Sequence, residues 1–255
     1  MPAQRRGEEF AFTDDDFQFV RRKLREVAGI SLSAEKRSMV YARLSRRIRA
    51  LGLDSFKSYR AHLDQHAESE AGPFVNALTT NLTKFFREAH HFEHLRDVAL
   101  PSRRKNVDRV RIWSAGCSTG EEPYSIAIVL DAWLRGQSRC DARILATDLD
   151  TNVLERAATG RYSAESAASV SQWSNRAVEA VGDDRVVVAD RLKRLITFKP
   201  LNLMHDWPMR GPFDAIFCRN VMIYFDRETQ KDLIARMRAL IADDGFLYVG
   251  HSETL

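Results

Sequence analysis

An α/β fold preceded by an all-helical module is the fold class that the sequence predicts, and three observations carry this prediction. Apolar residues recur at helical spacing from Phe17 to Leu78. Beyond Val110, short apolar runs alternate with helical stretches, which is the pattern of a parallel sheet. The first of these runs leads into a glycine-containing turn and then a helix.

The helical module is predicted to contain four helices over residues 13–78. Thr13 is placed to cap the first helix, and Gly29 closes it. The other three are predicted over 34–50, around 56–63 and from Pro73 to Leu78. Residues 1–12 are predicted as a disordered start and 79–106 as a linker.

The second part, residues 107–255, is predicted to form the sheet domain. Its strands are expected at 110–115, 142–147, 214–218 and 245–250. Its helices are expected at 122–135, 151–158 and 227–241. The region 161–200 breaks the alternation. Within it, 185–189 and 195–198 can pair as a small antiparallel insert, giving a β-subdomain over about 183–200.

The turn after the first strand indicates a ligand site. Gly116 and Gly120 supply a turn without side-chain bulk, and Asp148 ends the second strand. A carboxylate in that position accepts hydrogen bonds from ribose hydroxyls in nucleoside-binding folds. A tight strand–helix turn with no ligand is the alternative explanation of the two glycines alone.

Glu121 and Glu122 stand at the start of the helix that follows. They suit the helix dipole but would repel the phosphates of NAD or ATP. A ligand with a cationic end fits better, and S-adenosylmethionine carries both an ammonium and a sulfonium group.

Composition limits the class of protein. The chain has 255 residues, of which 44% are hydrophobic and 29% charged, as in an ordinary soluble protein. No apolar run approaches the roughly 20 residues that span a bilayer. Its three cysteines are widely spaced, which argues against a disulfide scaffold or a zinc site and favours the cytoplasm.

The net charge of +4 is unevenly distributed. The segment from Phe17 to His62 contains twelve Lys and Arg residues and only three acidic residues. On the second helix, four arginines lie away from the apolar stripe and are predicted to form a basic outer face: Arg43, Arg46, Arg47 and Arg49. An ordinary solvated helix face is the alternative explanation.

Two further segments place polar groups beside apolar ones. In the segment 79–88, polar residues alternate with apolar ones: Asn81, Thr83 and Arg87 with Leu82, Phe85 and Phe86. A helix capped by Thr83 is the alternative. One buried strand ends in Arg219 and Asn220, and Asp148, Asn202 and Asn220 are expected to converge at one edge with Gly116 and Gly120. Tyr224 follows nearby, and a buried core aromatic is the alternative for it.

Five segments together resemble the CheR family of chemotaxis receptor glutamate O-methyltransferases. They are Thr-Thr-Asn-Leu-Thr-Lys-Phe-Phe-Arg-Glu, Ser-Ala-Gly-Cys-Ser-Thr-Gly-Glu-Glu-Pro-Tyr-Ser, Ala-Thr-Asp-Leu-Asp, Phe-Cys-Arg-Asn-Val-Met-Ile-Tyr-Phe and Gly-His-Ser-Glu. The resemblance covers residues 13–255 and keeps the order of the segments.

This resemblance implies a Rossmann-like S-adenosylmethionine-dependent methyltransferase domain with a small inserted β-subdomain, preceded by a helical domain. The family's cofactor contacts fall on Asn81, Thr83, Arg87, Glu122, Asp148, Asn202, Leu203, Arg219 and Asn220. Arg87 and Tyr224 match positions near the transferred methyl group. The implied products are glutamate methyl esters and S-adenosylhomocysteine, with no metal involved.

The implied partner is the cytoplasmic helical region of methyl-accepting chemotaxis receptors, with no nucleic acid and no membrane insertion. Such helices carry rows of Glu and Gln, which the basic face would complement. Some family members also bind a receptor pentapeptide through a Gly-Tyr-Gly loop. No such loop occurs around 183–195, so we expect no high-affinity pentapeptide binding.

Two other functions compete with this interpretation. A nucleic-acid methyltransferase is suggested by the isoelectric point near 9.0, but the basic residues lack interleaved aromatics. A non-catalytic sensor of S-adenosylmethionine is the other.

Because a methyltransferase sheet usually finishes with one more strand, we also expect a truncation at Leu255.

Overall fold

A computed structural model describes residues 9–79, 81–102 and 108–253. The described chain forms two compact units. One consists of the residues up to 79 together with Tyr224–Asp226, and the other of the remainder from Asn81 onward. Most of the predicted disordered start, part of the predicted linker and the last two residues lie outside the described ranges.

The first unit is helical. Its helices are α1 (Asp14–Ala28), α2 (Arg37–Ala50), α3 (Phe56–Gln65) and α4 (Ala67–Leu78), and a 3₁₀ turn at Ala34–Lys36 precedes α2. The four predicted helices are therefore present. The start predicted for the fourth helix is wrong, because Pro73 lies inside α4 and not at its first position.

Both ends of α1 have the local structure that the sequence predicts. The Thr13 hydroxyl accepts a hydrogen bond from the Asp16 amide at 3.1 Å, and the Asp16 carboxylate accepts one from the Thr13 amide at 3.0 Å. This reciprocal capping box satisfies two amide groups that the helix itself leaves unpaired. At the other end, Gly29 adopts φ +69°, which a residue without a side chain adopts at little cost.

The second unit contains a five-stranded parallel sheet. Its strands are β1 (Arg109–Ala115), β2 (Asp141–Asp148), β6 (Ile196–Pro200), β7 (Phe213–Cys218) and β8 (Ile241–Val249). They lie in the order β6-β2-β1-β7-β8. The chain therefore builds outward from β1 to one edge and then returns to the other side of β1. The reversal between β1 and β7 is where open α/β sheets bind ligands, at the carboxyl ends of the strands.

The helices of this unit connect the strands. They are α5 (His90–His94), α6 (Glu121–Leu134), α7 (Thr151–Thr159), α8 (Asp190–Lys193) and α9 (Arg227–Arg238), and a π turn at Leu95–Ala99 continues α5. Of these, α6, α7 and α9 confirm the three predicted helices. Because α6 begins directly after the turn that follows β1, this turn and the start of α6 lie at the carboxyl edge of the sheet.

A small antiparallel sheet is present, as predicted, but it begins at residue 161 and not near 183, and the predicted pairing within it is wrong. Three short strands, β3 (Arg161–Ser163), β4 (Val178–Ala180) and β5 (Arg185–Val188), form an antiparallel sheet in the order β3-β5-β4. The expected partner of β5, residues 195–198, instead lies in β6 and pairs in parallel with β2. There Ile196 and Phe198 pack beside the buried Ala146 and Leu154. Burial of these side chains favours the large sheet.

The segment after the helical unit differs from the predicted linker. Residues 81–102 belong to the sheet unit and contribute buried apolar side chains to its core, among them Phe85, Phe86 and Phe92. Phe86 stacks on Trp173 with ring centres 4.3 Å apart and planes 2° apart. Residues 81–89 are not helical, so the alternative of a helix capped by Thr83 is excluded.

Candidate active site at the carboxyl edge of the sheet

The turn between β1 and α6 depends on backbone conformations with positive φ. Gly116 and Gly120 have φ +77° and +98°. A Cβ at Gly116 would lie 2.3 Å from Val221 Cγ2, and one at Gly120 would lie 2.7 Å from the Tyr162 hydroxyl. We expected these glycines to leave room for a ligand. The structure instead shows that they let neighbouring side chains of the protein approach the turn.

Asp148 ends β2 beside this turn. Its Oδ2 accepts a hydrogen bond from the Ser118 amide at 2.8 Å, and its Oδ1 accepts one from the Asp150 amide at 2.9 Å. Burial raises the pKa of Asp148 although these two hydrogen bonds oppose the shift. A carboxylate offers about four lone-pair sites, so Asp148 can still accept a further hydrogen bond from a ribose hydroxyl.

Asp150 is a site residue that the sequence interpretation missed. It is buried, caps α7 by accepting from the Asn152 amide at 2.9 Å, and accepts from Asn81 Nδ2 at 2.9 Å. The Ser118 hydroxyl also donates to the Asn81 carbonyl at 3.3 Å. Asn81 is thereby connected to the segments that follow β1 and β2.

Arg219, immediately after β7, is the buried cation of this edge. Its side chain is 2% exposed and forms ion pairs with Glu122 at 3.1 Å and Glu88 at 3.2 Å. It also donates to the Arg87 carbonyl, and its guanidinium lies 5.3 Å from the centre of the Phe92 ring. Its Nε has no hydrogen-bond partner among the described residues.

Glu122 therefore has a different role from the one its position suggests. Its carboxylate accepts from the Ser114 hydroxyl at 2.7 Å and pairs with Arg219. Burial raises the pKa of Glu122, and the Arg219 charge opposes that shift. Glu121 accepts from the Thr119 hydroxyl at 2.6 Å, and burial raises its pKa as well. Since Arg219 already compensates Glu122, these carboxylates alone are weaker evidence for a cationic ligand than the sequence suggested.

Glu88 is a second residue that the sequence interpretation did not assign. Besides its ion pair with Arg219, its Oε1 accepts from Asn220 Nδ2 at 3.4 Å. The pKa of Glu88 is lowered: burial acts to raise it, but Arg219 and Asn220 together outweigh that effect. Glu88 therefore fixes both polar residues that follow β7.

The segment after β6 supplies the remaining predicted contacts. Asn202 lies two residues beyond β6, and its Oδ1 accepts from the Met204 amide at 3.0 Å. Leu203 is buried, and its carbonyl accepts from Trp207 Nε1 at 3.2 Å and from Arg236 at 2.8 Å. The Arg236 guanidinium lies 3.9 Å from the Trp207 ring centre.

The two predicted catalytic residues fall in different units. Arg87 belongs to the sheet unit, is half-buried and donates to the Leu82 carbonyl at 2.9 Å. Thr83, in the same segment, is also half-buried. Tyr224 belongs to the helical unit, where its carbonyl accepts from the Ser31 amide at 2.8 Å. Tyr224 is half-buried.

The predicted basic face of α2 requires a correction, because two of its arginines are used inside the helical unit. Arg43 donates to the Leu78 and Thr79 carbonyls at 2.9 and 2.7 Å. Arg47 makes a bidentate ion pair with Glu70, whose side chain is 3% exposed. Helical spacing places both residues off the apolar stripe, but it does not reveal acceptors on α4.

The other two arginines of the predicted basic face, Arg46 and Arg49, are exposed. Arg49 pairs with Glu9 at 2.5 Å. Arg46 has no hydrogen-bond or ion-pair partner within the ranges that the structure describes.

One cluster has the composition of a metal site. Ligand atoms of Glu88, His90 and His91 lie within 4.8 Å of one another. Glu88 is already paired with the Arg219 cation, which would repel a metal ion. Burial, reinforced by Arg219, lowers the pKa of His91 to about 4. A reaction without a metal stays a prediction.

Comparison with protein families places this edge in context. Residues 81–255 match the model described as CheR methyltransferase, SAM binding domain, and residues 15–79 match CheR methyltransferase, all-alpha domain. The chain belongs to the CheR family. The resemblance that the five sequence segments indicated is thereby confirmed.

Curated relatives of this family match over most of their length. A probable chemotaxis protein methyltransferase of Rhizobium etli is 47% identical, over 89% of this chain and 87% of the relative. Chemotaxis protein methyltransferase 2 of Pseudomonas aeruginosa is 46% identical, over 97% and 89%. The chemotaxis protein methyltransferase of Escherichia coli is 44% identical, over 96% and 86%.

The CheR family assignment identifies the sheet unit as an S-adenosylmethionine-binding methyltransferase domain of the chemotaxis family. The donor set at the carboxyl edge fits this cofactor. Asp148 retains acceptor capacity for ribose hydroxyls, and carboxylate, amide and guanidinium groups lie at the neighbouring strand ends. In the ranges described, no helix combines the length and apolarity needed to cross a membrane.

Proposed function

We propose that this chain transfers a methyl group from S-adenosylmethionine to glutamate side chains of chemotaxis receptors. The products are glutamate methyl esters and S-adenosylhomocysteine, and the reaction serves sensory adaptation in the bacterial cytoplasm. The observation that carries the proposal is the convergence of Asn81, Asp148, Arg219 and Asn220 at the carboxyl edge of a CheR-family sheet.

The residues proposed to hold the cofactor share this edge or the segment packed beside it. Asp148 would accept hydrogen bonds from the ribose hydroxyls, and Glu122 with Arg219 would present a compensated pair of charges to the amino acid end. The full proposed set is Asn81, Thr83, Arg87, Glu122, Asp148, Asn202, Leu203, Arg219 and Asn220.

The proposed chemistry needs no general base. S-adenosylmethionine supplies an electrophilic methyl group when it is bound. An exposed substrate glutamate has a pKa near 4.3, so it is already ionised at neutral pH. The chain must therefore orient this carboxylate and exclude water. We assign Arg87 to steer the carboxylate and Tyr224 to donate a hydrogen bond to it.

The exposed arginines of α2 are proposed to face the receptor. Arg46 and Arg49 offer positive charge to a receptor helix rich in glutamate. Arg43 and Arg47 belong to the same proposed surface, and their guanidinium groups also bind acceptors within the helical unit. We expect the charge reversal Arg46→Glu to raise the KM for the receptor at low salt and to leave the KM for S-adenosylmethionine unchanged.

The small sheet supports the expectation that no receptor pentapeptide binds with high affinity. Its β4–β5 turn consists of Val181, Gly182, Asp183 and Asp184, and the Val181 amide closes it by donating to the Arg185 carbonyl at 2.8 Å. The Gly-Tyr-Gly sequence of the pentapeptide-binding members is missing from it. Micromolar binding of such a peptide in calorimetry would contradict this part of the proposal.

The deciding experiment supplies tritiated S-adenosylmethionine and a cytoplasmic receptor fragment, and it measures label released as methanol under mild base. Carboxyl methyl esters release methanol under these conditions, so base-labile label on the receptor supports the proposal.

Arg87→Ala should reduce turnover far more than it reduces stability. Stable label on RNA or DNA would instead favour a nucleic-acid methyltransferase. Cofactor binding without transfer to the receptor would favour a sensor.

A further inference from the structure

Glu253 receives an unusual concentration of hydrogen bonds. It lies in the Gly-His-Ser-Glu segment just beyond β8, and its carboxylate accepts from four backbone amides. Oε1 accepts from Val221 at 2.8 Å and Met222 at 2.7 Å. Oε2 accepts from Asn220 at 2.8 Å and Gly250 at 2.5 Å. One side chain therefore joins the ends of two neighbouring strands.

Three of these amides are consecutive in the segment that follows β7. The first, Asn220, has φ +60°, a conformation that residues other than glycine adopt rarely and that persists where surrounding contacts determine it. The Asn220 side chain donates to Glu88. Glu88 thus holds the side chain of Asn220 while Glu253 holds its backbone.

Gly250 completes the same corner. A Cβ at Gly250 would lie 2.6 Å from Asn220 Nδ2 and 2.9 Å from the Asn220 amide nitrogen. The absence of a side chain there lets the turn after β8 close against Asn220. The Glu253 amide donates to the Gly250 carbonyl at 2.9 Å, which brings the carboxylate back over the end of β7.

We propose that Glu253 is a positioning residue of the cofactor site, which fixes the backbone after β7 so that Asn220 presents its amide at the carboxyl edge of the sheet. This inference rests on the assignment of Asn220 to the cofactor site under the proposed function. Glu253 acts through Asn220 and does not itself contact the reacting groups.

A carboxylate is the side chain that this geometry requires. Each of its two oxygens accepts from two amides, and a carboxylate offers about four lone-pair sites in total. Glutamine has the same shape, but its NH₂ group would face two N–H donors in either orientation. Glu253→Gln therefore removes the acceptor for two amides and leaves the size of the side chain unchanged.

The test is calorimetric titration with S-adenosylhomocysteine, well below the melting temperature of every variant. We expect Glu253→Gln to bind about tenfold more weakly than the natural chain, as the loss of well-placed acceptors implies. The control Glu165→Gln removes the same charge from an exposed side chain and should bind within about twofold of the natural chain. Binding by Glu253→Gln within that range would overturn the proposal.

A double-mutant cycle separates positioning from a general structural role. If Glu253 acts through Asn220, the substitution Glu253→Gln should weaken binding little further in an Asn220→Ala background. Additive losses would overturn the proposal. Because the probe is S-adenosylhomocysteine, this result is independent of whether the natural chain methylates a receptor.

Gly250→Ala serves if Glu253→Gln does not fold. It keeps the Glu253 carboxylate but introduces a methyl group against Asn220. We expect weaker binding of S-adenosylhomocysteine by this variant as well, and unchanged binding would count against the proposed corner.

Discussion

The α2 surface and the carboxyl edge of the sheet both carry arginines that the sequence assigns to function, but the structure uses them differently. On α2, Arg47 is bound to Glu70 and stabilises the helical unit, whereas Arg46 is exposed. At the sheet edge, Arg219 pairs with Glu88 and Glu122, which come from distant parts of the chain. Helical spacing shows which residues leave the core. Strand topology shows which residues meet.

Removal of the buried cation at the sheet edge is expected to have the largest effect. Arg219→Ala would leave Glu88 and Glu122 without their counter-charge, and we expect the free energy of unfolding to fall by about 4 kcal/mol. Urea denaturation measures this. The exposed Arg139→Ala should change it by less than about 0.5 kcal/mol. A small effect at Arg219 would mean that the edge is not held together by charge.

The α2 surface provides the next prediction. Arg47→Ala leaves the buried Glu70 carboxylate without its cation, so we expect a loss of about 3 kcal/mol in the free energy of unfolding. Arg46→Ala, one residue away and exposed, should lie within about 0.5 kcal/mol of the natural chain. Equal effects in urea denaturation would contradict the distinction drawn between these two arginines.

The third prediction concerns pH at the sheet edge. The pKa of His91 is about 4 in the folded chain, below its ordinary value of 6.5. As the pH falls from 6.5 towards 4, His91 therefore becomes protonated in the unfolded chain while it stays neutral in the folded chain. Stability should fall in this window, and His91 should account for about 2 kcal/mol of the loss between pH 7 and pH 5.

The histidine test compares two neighbouring substitutions. His91→Gln should flatten the dependence of the free energy of unfolding on pH between 7 and 5. His90→Gln alters an exposed histidine next to it and should preserve the slope. Identical slopes in the two variants would exclude His91 as the titrating group.

The smallest predicted effect lies at the start of the helical unit. Thr13→Ala removes the cap of α1, and we expect a loss of about 1 kcal/mol in the free energy of unfolding. Ser33 also precedes a helical turn, but its side chain makes no capping hydrogen bond. Ser33→Ala should therefore have almost no effect. If thermal denaturation showed equal losses for Ser33→Ala and Thr13→Ala, the loss at Thr13 would not come from its capping hydrogen bond.

The fold was largely predictable because its signals are local. The caps of α1, the periodicity of the helices and the apolar strands can each be identified within a few residues. The role of 195–198 was not, because a short apolar strand has the same sequence pattern in a parallel as in an antiparallel sheet. Its burial beside Ala146 decided the outcome, and that contact crosses about fifty residues of sequence.

The positions of Asp148 and Arg219 at the carboxyl edge of the sheet were predictable, because each follows or ends a strand. Asp150 and Glu88 were missed because their partners are distant in sequence. Glu253 had a signal in the Gly-His-Ser-Glu segment, but its four partners are backbone amides, which every residue except proline possesses. No residue type in the partner segment could therefore have revealed its role.

The close approach of Val221 to Gly116 has a consequence for how this family can diverge and be redesigned. The two positions are 105 residues apart in the chain, yet the Val221 methyl groups fill the space next to the Gly116 backbone. A larger residue at 116 would need both a smaller neighbour at 221 and tolerance of a left-handed backbone. Sequence libraries that vary these positions independently will contain mostly pairs that clash, whereas libraries that vary them jointly can combine a larger residue at 116 with a smaller one at 221.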